Sequence, residues 1–134
     1  EAGGPENVLE AVERFGCVRI GHGIKAAKSD AAMVALKANQ VMLEICPTSN
    51  IHTGVVNSLE NHPLKMFYEK GIPVSLNTDD PMISNITLTD EYLNVLTKMG
   101  FSKDDLKRLN IMALEHSFHP DKKTLKKTLG HLWN

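Results

Sequence analysis

The stretch Cys17-Val18-Arg19-Ile20-Gly21-His22-Gly23 decides how the rest of this chain is read. Four residues of strand character, Cys17 to Ile20, run into a histidine held between two glycines. The same grammar recurs twice downstream. Val41 to Cys46 runs into Pro47-Thr48-Ser49-Asn50, and Pro73 to Leu76 runs into Asn77-Thr78-Asp79-Asp80-Pro81. Between and after these strands lie segments of helical period. Gly4-Pro5 starts the first, with Pro5 suited to the first helical position, Val8, Leu9, Val12 and Phe15 on one face, and Gly16 placed to end it left-handed. Ser29 caps a second helix running to about Asn39. Pro63 to Lys70 forms a third, closed by Gly71. Thr89 caps a fourth, and Ser102-Lys103-Asp104-Asp105 opens a fifth that reaches about His116 with a capping-box-like start. A last amphipathic helix follows Pro120, with Leu125, Leu129 and Leu132 on one side. Strands alternating with helices in this way predict right-handed β-α-β units and a parallel sheet.

Composition bounds the function classes. With 134 residues, 15 basic against 16 acidic and 42% hydrophobic residues, the chain has material for one core and no clustered basic face. Nucleic acid and anionic membrane are therefore not expected partners. The apolar runs are too short to span a bilayer. Two cysteines, Cys17 and Cys46, are too few for a disulfide scaffold, sit in apolar strand context and fit a reducing, cytoplasmic setting. Arg19 and Glu44 interrupt the strands. An open doubly wound sheet accommodates such residues poorly, whereas a barrel strand end or a subunit contact takes them.

The chemically capable groups fall where strands hand over to loops. In parallel α/β folds that carboxyl edge is where sites are built, because several strands aim side chains at one point. His22 is either a catalytic imidazole with room for a ligand beside it, or a turn histidine whose glycine neighbours supply positive φ. Asp79 and Asp80 are two adjacent carboxylates that need a positive partner, such as a metal or a cationic substrate atom, or else form a solvated turn. On an extended segment the two point to opposite sides, so one can hold a metal while the other meets substrate. Thr48, Ser49 and Asn50 either bond a ligand or close a turn. Glu115, His116 and His119 invite a metal reading, but nothing near them completes a tetrahedral site. Glu1 is a general acid only if burial raises its pKa. His52, His62 and His131 carry no distinguishing context.

Taken in order, Arg19-Ile20-Gly21-His22-Gly23, Cys46-Pro47-Thr48-Ser49-Asn50 and Asn77-Thr78-Asp79-Asp80-Pro81 resemble the adenosine deaminase family, as do His62-Pro63-Leu64-Lys65 and Gly4-Pro5-Glu6. The likeness runs from Glu1 to about Phe118. It implies a zinc-dependent (β/α)8 TIM barrel that hydrolyses adenosine to inosine and ammonia. By the same resemblance Glu1 matches the last residue of a His-Ala-Gly-Glu motif and protonates N1 of the purine. His22 matches the histidine that orients and helps deprotonate the metal-bound water. Asp79 matches the zinc-ligating Asp, and Asp80 the one that bonds N7. The family's remaining zinc ligands, an early His-x-His and a fifth-strand His, are absent from this sequence. A barrel needs eight strands and about 250 residues, against three strands here. Residues 1–134 are therefore expected to be an incomplete C-terminal segment of one catalytic barrel domain: about three βα units plus terminal helices, inactive alone. The partners implied are a purine nucleoside and the rest of the barrel, from a missing N-terminal part or another copy. Two alternatives stand beside this reading: a deaminase of adenine or another 6-aminopurine, and an inactive remnant serving as an interaction module. The run Met82-Ile83-Ser84-Asn85 resembles the adenosine branch.

Overall fold

The computed structural model describes residues 3–133, with the side chains of Leu132 and Trp133 outside the description. Three strands, β1 (Arg19–Gly21), β2 (Met42–Ile45) and β3 (Val74–Leu76), form one parallel sheet in sequential order. Arg19 is registered with Met42, Gly21 with Glu44 and Glu44 with Ser75. Each crossover carries helix. After β1 come a 3-10 turn, Ile24–Lys28, and α2 (Asp30–Ala38). After β2 come α3 (Pro47–His52) and α4 (Leu64–Glu69). A helix α1 (Pro5–Glu13) precedes the sheet, and α5 (Pro81–Ser84), α6 (Leu88–Lys98), α7 (Lys103–Glu115) and α8 (Lys122–Leu129) follow it. The parallel strands and their crossover helices are the expected α/β arrangement.

Strand alternation sorts the sheet into two faces. Leu43 and Val74, and Ile45 and Leu76, are registered pairs on one face, where they join Leu36, Leu64, Phe67 and Leu109 in the main core. The opposite face carries the row Gly21, Glu44, Ser75. Arg19 and Glu44 thus lie off the apolar core. They form an ion pair between β1 and β2, Arg19 Nε donating to Glu44 Oε1 at 2.7 Å. The Arg19 Nη1 also donates to the His116 carbonyl at 2.7 Å, and the guanidinium lies 5.5 Å from the Phe118 ring centroid. One arginine so ties the first strand to the end of α7.

The helix boundaries follow the caps. Ser29 accepts from the Ala32 amide, and Ser102 and Asp105 form a full capping box on α7. Gly16, at φ 62°, and Gly71, at φ 75°, take the left-handed conformation expected beyond α1 and α4. Three expectations change. Thr87, not Thr89, caps α6: it sits extended at φ −104° and ψ 164° and makes a reciprocal box with Asp90. Phe15 is exposed rather than packed with Val8 and Val12, because α1 has already ended at Glu13. Pro47 to His52, where β2 was expected to hand over to a loop, is helical, with Pro47 at its first position. The expected place of Leu132 on the last helix lies outside the described side chains. Among the described residues, no helix is long and apolar enough to cross a membrane.

Candidate active site

His22 follows the last residue of β1, and Asp79 lies three residues beyond β3. Both adopt left-handed backbone, at φ 56° and φ 60°. Non-glycine residues enter that region seldom, and when they do so at strand ends the surrounding structure holds them there. Gly23 continues the turn at φ 63°, and a Cβ on it would stand 2.6 Å from the Leu43 side chain. The turn after β1 is thus tight because Gly23 packs directly on the second strand. It swings His22 towards β3, so that His22 Nε2 lies 3.7 Å from Asp79 Oδ2.

The helix after β2, α3, supplies the middle of the cluster. Ser49 Oγ donates to Asp79 Oδ2 at 2.7 Å, and Asn50 Nδ2 lies 3.0 Å from His22 Nδ1. Of the two readings held for Ser49 and Asn50, the structure has them contacting the strand-end residues from a buried helical turn. All three strands therefore converge on one point at the carboxyl edge of the sheet. Asp79 and Asp80 are both exposed, but Asp80 opens α5 without a side-chain cap bond, and Glu1 lies outside the described residues.

Two groups near this edge were not singled out in the sequence as site residues. His62 is buried, with Nε2 3.0 Å from Asn50 Oδ1, and loss of hydration pushes its pKa down to about 4. Its place in the phrase His62-Pro63-Leu64-Lys65, just before a helix start, was the available cue. Glu91 on α6 is fully buried. Its Oε1 accepts from the Thr48 amide at 2.9 Å, and its Oε2 has no hydrogen-bond partner among the described residues. Desolvation raises its pKa, so the buried carboxyl is driven towards its neutral form. It anchors the start of α3, the turn that carries Ser49 and Asn50. Glu115, His116 and His119 do not converge: Glu115 pairs with Lys126 at 2.5 Å, and His116 Nδ1 lies 3.0 Å from the Met112 carbonyl. A cleft lined by Lys25, Lys28, Val56 and Asn61 takes in neither His22 nor Asp79.

A family model described as adenosine deaminase matches residues 1–130. The chain belongs to the adenosine deaminase family. It is 43% identical over 121 residues to the adenosine deaminase of Shewanella loihica, an alignment covering 90% of this chain and 37% of that protein. Among solved structures it superposes on adenine deaminase from Arthrobacter aurescens with a TM-score of 0.91 at 28% identity, covering 98% of this chain and 41% of the other. It superposes on the N6-methyl-AMP deaminase of Arabidopsis thaliana at a TM-score of 0.82 and 29% identity, covering 98% of this chain and 38% of that one. The fold is accordingly part of a (β/α)8 barrel of the deaminase type. The chain spans little more than a third of the length of the relatives it matches. In a closed barrel the row Gly21, Glu44, Ser75 is the inward one, which gives the strand charges their place.

Proposed function

We propose that this chain supplies the strand-end half of a purine deaminase site, catalysing zinc-dependent hydrolysis of adenosine to inosine and ammonia. The observation that carries the proposal is the convergence of two left-handed strand-end residues, with Asp79 Oδ2 held by Ser49 and facing His22 Nε2. Membership of the family and the 43% identity to a named adenosine deaminase support the choice of substrate.

The roles follow from chemistry and position. Asp79 is a carboxylate ligand of the kind zinc accepts, and a catalytic zinc needs three protein ligands. Among the described residues no group of three or more His, Cys, Asp or Glu is placed to hold a metal. Asp79 is this chain's contribution, and the other ligands belong to a part of the barrel outside it, from a further segment or another copy. Zinc held there supplies hydroxide at neutral pH. Ser49 fixes the rotamer of Asp79, and His22 orients the attacking oxygen over C6 of the purine. Asp80, exposed at the head of α5, is free of any cap bond and bonds N7. Glu1 delivers a proton to N1, relieving charge on the ring. Residues 1–134 are then an incomplete part of a single catalytic domain, inactive alone, acting in the cytoplasm, a reducing setting that suits a chain with only the two cysteines Cys17 and Cys46.

The close superposition on an adenine deaminase favours a second reading, in which the substrate is adenine or another 6-aminopurine. Zinc retention tests the shared core of both. The chain is mixed with the part of the Shewanella loihica enzyme that it does not cover, and the assembly is dialysed. About one zinc per assembly is expected with the natural chain, and loss of that zinc with Asp79→Ala. Equal retention by both chains contradicts the assignment of Asp79. An interaction module without catalysis predicts assembly and no retained metal.

A further inference from the structure

The segment His62-Pro63-Leu64-Lys65 takes no direct part in the strand-end cluster, yet His62 is 6% exposed and Asn50 fully buried. The backbone amide of Leu64 is one of the unpaired donors at the start of α4. It donates to His62 Nδ1 at 3.1 Å. A backbone N–H cannot accept, so Nδ1 carries the lone pair and the ring hydrogen sits on Nε2. Nε2, 3.0 Å from Asn50 Oδ1, is then the donor in that bond. The Asn50 amide is thereby oriented, because reversing it would set its NH2 against another N–H. Its Nδ2 donates to His22 Nδ1 at 3.0 Å. Each bond in the series fixes the polarity of the next. Burial drives His62 towards its neutral form, and only that form can accept from Leu64.

We propose that Asn50 and His62 are positioning residues that hold the His22 ring with Nδ1 bare and its hydrogen on Nε2, the nitrogen 3.7 Å from Asp79 Oδ2. The proposal deepens the deaminase reading and rests on it for its consequence. On this tautomer His22 presents a hydrogen-bond donor to Asp79 and to the reacting oxygen. Removing a proton from water would require the opposite tautomer, with a bare Nε2. The connection also explains why a His-Pro-Leu-Lys phrase remote from the strand ends accompanies them: its amide sets the direction of the whole series.

The tautomer is read directly by magic-angle-spinning NMR of the full chain labelled with 15N-histidine, which tolerates self-association. Spectra are taken at pH 8, above the ordinary imidazole pKa of about 6.5, with the rings assigned through backbone connectivities. His22 and His62 are both expected to show a bare Nδ1 and a protonated Nε2. Asn50→Asp, whose carboxylate only accepts, is expected to move the His22 hydrogen to Nδ1. His62→Leu, which frees Asn50 to turn over, is expected to leave His22 in both tautomers. A natural chain whose His22 carries hydrogen on Nδ1, or has no preference, overturns the proposal without any variant. An unchanged His22 in Asn50→Asp or His62→Leu overturns the part assigned to that residue, since a role in packing alone leaves the tautomer where it was. No metal or substrate is present, so this result is independent of zinc retention and of ammonia release.

Discussion

His62 shows how one buried imidazole shapes both the cluster and its response to acid. Its pKa stands at about 4, against an ordinary value near 6.5, because burial disfavours the charged ring. The unfolded chain takes up a proton first as pH falls. The stability His62 contributes is therefore complete above about pH 6.5 and is lost as pH falls towards 4. At about 1.36 kcal/mol per pKa unit, the loss is about 2 kcal/mol at pH 5 and about 3 kcal/mol at pH 4. Urea unfolding at matched protein concentration checks this. The difference in stability between pH 7.5 and pH 5 should shrink by about 2 kcal/mol in His62→Gln. An equal acid response in both chains contradicts the assignment. The roles of His62 and Asn50 were not legible in the sequence, because a hydrogen bond between positions twelve apart depends on how α3 and α4 pack. The burial of Glu91 was equally hidden, since it arises from α6 lying against the start of α3. His22 and Asp79 stood out because glycine flanks and paired carboxylates at strand ends are local signals, and the structure sets the two side chains 3.7 Å apart.

At the scale of elements, the caps were the most readable feature and the strands the least exact. Ser102-Lys103-Asp104-Asp105 announces α7 in four residues, and both halves of its box form. Asp105 also accepts from Tyr68 Oη at 2.8 Å, linking the box to α4. Its bonds to Ser102 hold its pKa down at about 2. Ser102→Ala removes the acceptor for the Asp105 amide and should cost about 1 kcal/mol, read as a lower urea midpoint with unchanged slope. Ser102→Asn should recover most of that loss, whereas no loss in Ser102→Ala would show the cap to be idle. The fourth helix was harder to place because Thr87 and Thr89 are both cap-competent residues. Asp90 stands three residues after Thr87, and that spacing decides between them. Arg19 and Glu44 looked like interruptions because strand sequence does not say which face a closing barrel turns inward.

The whole molecule presents a sheet with two outer edges. Among the described residues β1 and β3 each pair on one side only, and Val18, Met82, Ile83 and Phe118 are largely exposed. Unpaired parallel edges beside apolar surface invite pairing with another chain. The chain alone should therefore sediment as associated species or precipitate, and a monodisperse monomer across a tenfold concentration range would contradict this. Addition of the remaining barrel segment of a relative should suppress the association by covering the same edges. The claim on which the function rests is tested most directly by ammonia release from adenosine in that mixture. The account predicts activity with the natural chain, none from either part alone, and a fall of more than about 100-fold with Asp79→Ala, since losing even a residue that supports a metal ligand costs 10 to 100-fold. An associated mixture that releases no ammonia, or an Asp79→Ala chain as active as the natural one, would contradict it.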